Sequence, residues 1–299
     1  MNPLIIEVPT PLGLHPSGVQ DAPGALRQAG LHARLGSADE ARIEVPPYRD
    51  VRDPETALLN PGEIAAVAQD LAAAVEAALG SGRFPIVLGG DCSILLGPLL
   101  ALRRRGRYGL AFIDGHADFQ HPSDETHGEV ASLDLALATG RGPGVLTNLD
   151  GLRPLVRDED VALVGYRVFG DNDHVLEEHV RNTAITVIDY PEIRETGTAS
   201  TVSKALAAVT RPGTEGYWVH LDVDVLHDEL MPAVDYRYPG GLTWSEAADI
   251  LHGLLGASGA CGLEVTIFNP RLDASGSLAR RLSDLITSAL PRQRHTARL

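Results

Sequence analysis

The sequence predicts an α/β protein: a mostly parallel β-sheet with helices on both faces, built as one domain over residues 1–299. Three observations carry this reading. Apolar runs of strand length recur along the chain, stretches of helical length separate most of them, and no shift in composition divides the chain. Strands that are apolar throughout, rather than alternating, need cover on both faces, which is the condition of a parallel sheet.

The elements follow in order. Residues 4–8 form the first strand, and further apolar runs stand at 85–88, 110–113, 161–164, 184–188, 217–221 and 263–268. Asn60-Pro61-Gly62-Glu63 opens a long helix: Asn60 is a capping residue, Pro61 suits the first turn, and Glu63 sits at the positive end of the dipole. Its body, 64–79, is rich in Ala, the best helix former. Helices are also expected at 132–139, 173–181, 198–209, 243–255 and 276–290. Residues 140–144 read as a surface loop, and 21–53 carry the weakest pattern.

With Lys+Arg 25 against Asp+Glu 40, the formal net charge is −15. Such a surface repels phosphate backbones and anionic lipid, so no nucleic-acid or membrane partner is expected. No apolar segment approaches a membrane span, and two cysteines, Cys92 and Cys261, give no disulfide framework. A cytoplasmic location and a small-molecule substrate are the expectations.

Polar clusters stand at three strand ends: Gly89-Gly90-Asp91-Cys92-Ser93 after 85–88, Asp114-Gly115-His116-Ala117-Asp118 after 110–113, and Asp222-Val223-Asp224 after 217–221. Ligands of open parallel sheets bind beyond the carboxyl ends of the strands, so the three clusters can share one crevice. In extended backbone alternate side chains face the same way, which would align Asp114, His116 and Asp118, and likewise Asp222 with Asp224. A lone D-x-D mostly caps or solvates a loop. Together with D-x-H-x-D, each after an apolar strand, it reads as a metal site. Oxygen-rich ligation with one imidazole suits Mn or a similar divalent ion, one or two per chain.

These motifs resemble the arginase/agmatinase (ureohydrolase) family, whose G-G-D-H-S, D-A-H-x-D and S-x-D-x-D motifs precede a Pro-Gly-Gly-Leu loop. Here the loop is Pro239-Gly240-Gly241-Leu242, and the matches run from about Leu88 to Pro270 in the family's order. The resemblance implies a single three-layer domain with an eight-stranded sheet, a binuclear manganese centre, and release of urea after water attacks a guanidinium carbon. It implies that Asp114 and Asp222 bridge the metals, that Asp118 and the residue at Cys92 complete the first shell, and that His116 and Asp224 complete the second. It further implies His127, beside the catalytic ligand Asp118, as a proton shuttle, and a homo-oligomer, trimer or hexamer. Gln120 and Ser123 match positions that contact the amino-acid end of the substrate, and Glu264, counted with them as a substrate contact, matches the earlier acidic position of the family's D-x-x-E segment, three residues before Ile267 and so on the other side of the strand.

Four departures shape the expectation. Cys92 replaces a histidine ligand, and either ligates as a thiolate or packs as a small buried residue. Ile267 stands where the family has a Glu that pairs with the guanidinium, which removes a charge-assisted bond and fits a less basic substrate such as a hydroxyguanidine. His220 replaces a Ser or Thr, and His227-Asp228 replaces an Asp-Pro. The sequence therefore reads as a Mn-dependent hydrolase of linear C–N bonds other than peptide bonds, in a guanidino or hydroxyguanidino compound such as hydroxyarginine. A non-catalytic metal- or ligand-binding relative and a deacetylase-type amide hydrolase are the competing readings.

Overall fold

A computed structural model describes residues 2–36, 40–122, 125–168 and 179–291. Most of the helix expected at 173–181, and the basic residues Arg292, Arg294 and Arg298, lie outside these residues. Among the described residues the strands are β1 (Pro3–Val8), β2 (Glu40–Arg42), β3 (Phe84–Gly89), β4 (Gly109–Ile113), β5 (Val161–Val164), β6 (Thr186–Ile188), β7 (Tyr217–Asp222) and β8 (Ala260–Thr266). They form one sheet in the order β2-β1-β3-β8-β7-β4-β5-β6, and every pairing is parallel.

The period of two in a strand sorts side chains into two cores. Ile5, Ile86, Leu88, Ala111, Ile113, Val219, Leu221 and Leu263 face the helices Ala22–Gln28, Thr198–Val209, Trp244–Gly256 and Ser277–Ala289. Ile6, Val8, Val87, Leu110, Phe112, Leu163 and Trp218 face Pro61–Gly80 and Leu96–Arg105. Each buried Val, Leu or Ile contributes about 1.5–3 kcal/mol relative to exposure. This two-sided burial is why the strands read as apolar runs.

Local expectations met mixed outcomes. The helix Trp244–Gly256 begins with a full capping box, Thr243 and Glu246 each accepting from the other's backbone N–H. Asn60 does not cap. It sits in the left-handed region at φ 48, and its side chain instead accepts from Arg49 N at 2.9 Å and donates to Leu12 O at 3.1 Å, tying the segment before β3 to the loop after β1. The expected helix at 132–139 is a 3-10 turn, Val130–Leu133, followed by the short helix Asp134–Ala138. The eighth strand, β2, lies within the stretch of weakest pattern and pairs only with β1.

The four central positions β3, β8, β7 and β4 bring the carboxyl ends of the motif-bearing strands side by side. Close approach in this region is set by glycine. A Cβ on Gly90 would lie 1.8 Å from Thr10 O, so the turn after β3 passes the turn after β1 only without a side chain. Deeper in the sheet, a Cβ on Gly262 would meet the buried Trp218 ring at 2.0 Å. Gly262→Ala should therefore lower unfolding free energy by about 1–3 kcal/mol through overpacking, read from the denaturation midpoint; an unchanged midpoint would show that β7 and β8 separate freely at this point.

Candidate metal centre

Asp114 follows β4 and Asp222 ends β7, and each turns back to accept from the backbone two residues on. Asp114 Oδ1 accepts from His116 N at 2.6 Å, and Asp222 Oδ1 accepts from Asp224 N at 2.8 Å. The alternation expected for the two motifs is not what aligns them. Asp224 lies in the 3-10 turn Val223–Val225, and Asp118 is left-handed at φ 42, so each segment leaves the extended conformation immediately after its strand. Turns that need short, hydrogen-bonding side chains explain Asp at these positions as well as ligation does.

The side chains gather into three groups, within each of which one ligand atom per residue lies within 4.8 Å of the others: Asp114, His116 and Asp224; Cys92, Asp118 and Asp134; Cys92, His220 and Asp222. All six metal-ligand candidates from the sequence are thus brought together, along with two further residues. In the sequence Asp134 is only part of an expected helix; the signal it offers is an Asp set in Leu133-Asp134-Leu135-Ala136-Leu137, an acidic residue in an otherwise apolar run. It is fully buried, and neither of its oxygens finds a donor.

Electrostatics mark this as a place for positive charge. Burial, then repulsion from Asp118, Asp222 and Asp224, pushes Asp114 well above the usual carboxylate range. Burial likewise raises Asp222 and Asp134, and pushes Asp118 up to about 7. Burial works to lower His116, but Asp224, whose Oδ2 is 2.7 Å from its Nδ1, raises it to about 9. Burial first, then Asp222, drives the Cys92 thiol well above its ordinary value, and Cys92 Sγ donates to Asp222 Oδ2 at 2.8 Å. Asp114 Oδ2, both Asp134 oxygens and His220 Nε2 are buried without hydrogen-bond partners. Unpartnered buried oxygens on Asp114 and Asp134, crowded by further carboxylates, fit the donor set of a divalent cation.

The walls are held by a residue that sequence reading missed. Arg167 follows β5, is buried, and donates to Asp224 O at 2.6 Å and Gly240 O at 2.7 Å. A Cβ on Gly241 would stand 2.3 Å from Arg167 Nη1, which gives the Pro-Gly-Gly-Leu loop its physical reason. Leu242 then bonds Val225 O, fastening that loop over the Asp222–Asp224 turn.

A cavity of about 180 Å³ opens over the cluster. That is smaller than the roughly 300–1,000 Å³ of drug-sized sites and suits a compact substrate. Gln120, His127 and Ile267 line it, with Glu129, Tyr236 and Tyr238. His127 is exposed at the mouth, and its backbone N–H donates to Glu125, which also accepts from Gly128 and Glu129. Ser123 lies outside the described residues. Glu264, expected at the substrate, requires correction: it is fully buried, bonds His220 Nδ1 at 2.8 Å, and does not line the cavity. Its register partner on β7 is His220, so its side chain points beneath the cluster while Ile267, past the strand end at φ 68, meets the cavity.

The carboxylates give a pH prediction for the metal-free protein. A group such as Asp118, raised to about 7 when folded, holds a proton that the unfolded chain gives up near 4, so its contribution is complete below about pH 4 and lost as pH rises to 7. Stability of the metal-stripped protein should fall between about pH 4 and 7, and divalent cation should remove that fall. Melting curves with and without chelator test this; parallel curves would show that the cluster is not what limits the apoprotein.

Comparison with known proteins agrees with this architecture. The Arginase family model matches residues 2–290. Arginase from Brevibacillus brevis is 31% identical over 294 residues, covering 96% of this chain and 97% of its own. The structures of arginases from Bacillus caldovelox and Bacillus cereus share TM-scores of 0.89 and 0.86 with this chain, each at 28% identity and with 98% of this chain and 99% of theirs covered. Among the described residues, no helix is long and apolar enough to cross a membrane. An all-parallel eight-stranded sheet, carboxylate and imidazole groups gathered at its central strand ends, and a family match across nearly the whole length lead to one conclusion: the chain belongs to the arginase family.

Proposed function

We propose that this protein is a Mn-dependent amidinohydrolase that cleaves a linear C–N bond of a guanidino or hydroxyguanidino compound, releasing urea or hydroxyurea and an amine. The observation that carries the reading is the convergence of Asp114, His116, Asp118, Asp222 and Asp224 under one small cavity. When bound there, divalent cations neutralise the carboxylates and lower the pKa of water toward neutrality. Asp114, His116 and Asp224 would hold one ion, and the groups around Cys92 the other. One Mn would leave a weaker electrophilic site and favour a more reactive substrate.

The chain's own residues set the rest. His127, exposed at the cavity mouth and fixed through its backbone to Glu125, would pass a proton between solvent and the departing amine. Tyr236, Tyr238 and Leu14 give the cavity flat apolar walls, and Gln120 offers an amide to the polar end of a substrate. Ile267 provides no charge for a guanidinium. A cation facing it loses a charge-assisted bond, whereas a hydroxyguanidine, being less basic, loses less. This favours an arginine-like substrate with a hydroxylated guanidine, such as hydroxyarginine.

Mn-loaded protein should release hydroxyurea from hydroxyarginine faster than urea from arginine. The absence of either product from any guanidino compound would turn the reading toward a non-catalytic relative. Ile267→Glu should move the ratio of kcat/KM toward arginine by roughly 10–100-fold, the worth of one charged hydrogen bond of about 1.5–3 kcal/mol. An unmoved ratio would mean that the guanidine does not approach this wall. His127→Asn should lower kcat by about 10²–10⁴-fold with little change in KM; an equal kcat would assign the proton transfer elsewhere.

A further inference from the structure

Two of the departures from the family pattern meet in space. Cys92, at the end of the β3 turn, lacks the imidazole that the G-G-D-H-S motif supplies, and His220, on β7, has one where the S-x-D-x-D motif has a hydroxyl. A ring nitrogen of His220, Cys92 Sγ and an Asp222 oxygen lie within 4.8 Å of one another. We propose that the imidazole has moved rather than been lost: His220 Nε2 is a ligand of the first metal, in a site rebuilt from His220, Cys92, Asp118, Asp134 and Asp222. The inference rests on the metal-hydrolase reading above and deepens it by naming the altered ligand set.

The geometry around His220 is that of a held ligand. The side chain is completely buried, and its ring stacks on Phe112 at 4.5 Å with 4° between the planes. Nδ1 is 2.8 Å from Glu264 Oε1, and an ionised Glu264 accepting there would put the ring proton on Nδ1 and leave the lone pair on Nε2. Metal-bound histidines characteristically donate their second ring N–H to a carboxylate in this way. Nε2 has no hydrogen-bond partner. It lies 4.0 Å from Asp114 Oδ2, which also has none. That gap is too long for a hydrogen bond.

Asp134 supplies the other half of the argument. One of its oxygens lies within 4.8 Å of Cys92 and Asp118, and both oxygens lack donors. Cys92 therefore belongs to both groups, and each holds one residue with unpartnered buried atoms, His220 in one and Asp134 in the other. A histidine at position 92 beside His220 would place two imidazoles in one corner. The smaller sulfur leaves room for the ring on β7, and so the two substitutions read as one change. The rival account is that His220 only buttresses Glu264 beneath the cluster and binds no ion.

Cobalt(II) loading of the full-length protein separates these accounts, with metal per chain, affinity and absorption as readouts. The proposal expects two ions in the wild type, with a thiolate-to-cobalt charge-transfer band that Cys92→Ser removes. His220→Asn should retain one ion and lose the band. Glu264→Gln, the milder change, should keep both but weaken the first by roughly 10–100-fold. The double variant Cys92→His with His220→Ser, which restores the family pattern, should bind two ions without the band. Two ions of unchanged affinity in both His220→Asn and Glu264→Gln would overturn the assignment and leave the hydrolase reading standing. So would a wild type that binds one ion, indifferent to both changes, because Asp114, His116 and Asp224 hold that ion alone. A wild type that binds none would overturn both readings. Circular dichroism of each variant guards against loss of fold; if His220→Asn does not fold, the Glu264→Gln affinity decides.

Discussion

Carboxylates that cannot share one small volume unneutralised are the constraint on which the rest of this structure depends. Asp114, Asp134 and Asp222 are all but inaccessible to water, and Asp118 and Asp224 press on them from the following turns. Parallel pairing makes this crowding possible, because β7 and β4 are neighbours in register and end at the same edge. The backbone offsets part of the cost: N–H groups of His116, Gly115 and Asp224 donate to three of the carboxylates. What remains unsatisfied faces inward, and protons or cations must supply the balance.

The same constraint explains the scaffolding around the cluster. Loops carrying like charges would spread apart if nothing held them. Arg167 does so with a positive group placed behind Asp224, on its carbonyl, where, against the cost of burial and after the larger effect of His116, it helps hold Asp224 below the usual carboxylate range. Its second contact, Gly240 O, brings in the Pro-Gly-Gly-Leu loop, which then bonds to the turn that bears Asp224. A single buried guanidinium thus links the ends of β5 and β7 with the entry to the helix Trp244–Gly256. Rigid strand ends and clamped turns are the conditions under which ligands keep their spacing through a catalytic cycle.

The central strands were legible because burial on both faces writes itself as apolar runs, and the residues of the cluster were legible because their motifs are dense. The reason given for their alignment was not: a 3-10 turn at Asp224 and a left-handed Asp118 replace the extended alternation, and local spacing alone does not reveal either. β2 escaped because three residues, Glu40-Ala41-Arg42, pairing on one side only, need no apolar run. Asn60 has the composition of a cap but answers to Leu12 and Arg49, partners distant in sequence. Asp134 and Arg167 were illegible for a similar reason, since their meaning lies in what tertiary packing sets against them. Glu264 was visible as an acidic residue near the site, but strand register turned it under the cluster to His220.

The two departures that bear on chemistry, at Cys92 and Ile267, are physically joined. Ile267 N donates to Gly90 O at 2.9 Å, so the end of β8 is fastened to the turn that delivers Cys92, and both side chains line the cavity. A glutamate at 267 would add one more carboxylate to a space where repulsion already raises Asp114 and Asp222. Its charge would push the Cys92 thiol still further from ionisation. Removing it eases the formation of a thiolate that can ligate, and at the same time removes the partner of a cationic substrate. On this reasoning the first metal's ligands and the substrate's charge change together, and a protein that tolerates sulfur at the metal is the one expected to prefer a guanidine of lowered basicity.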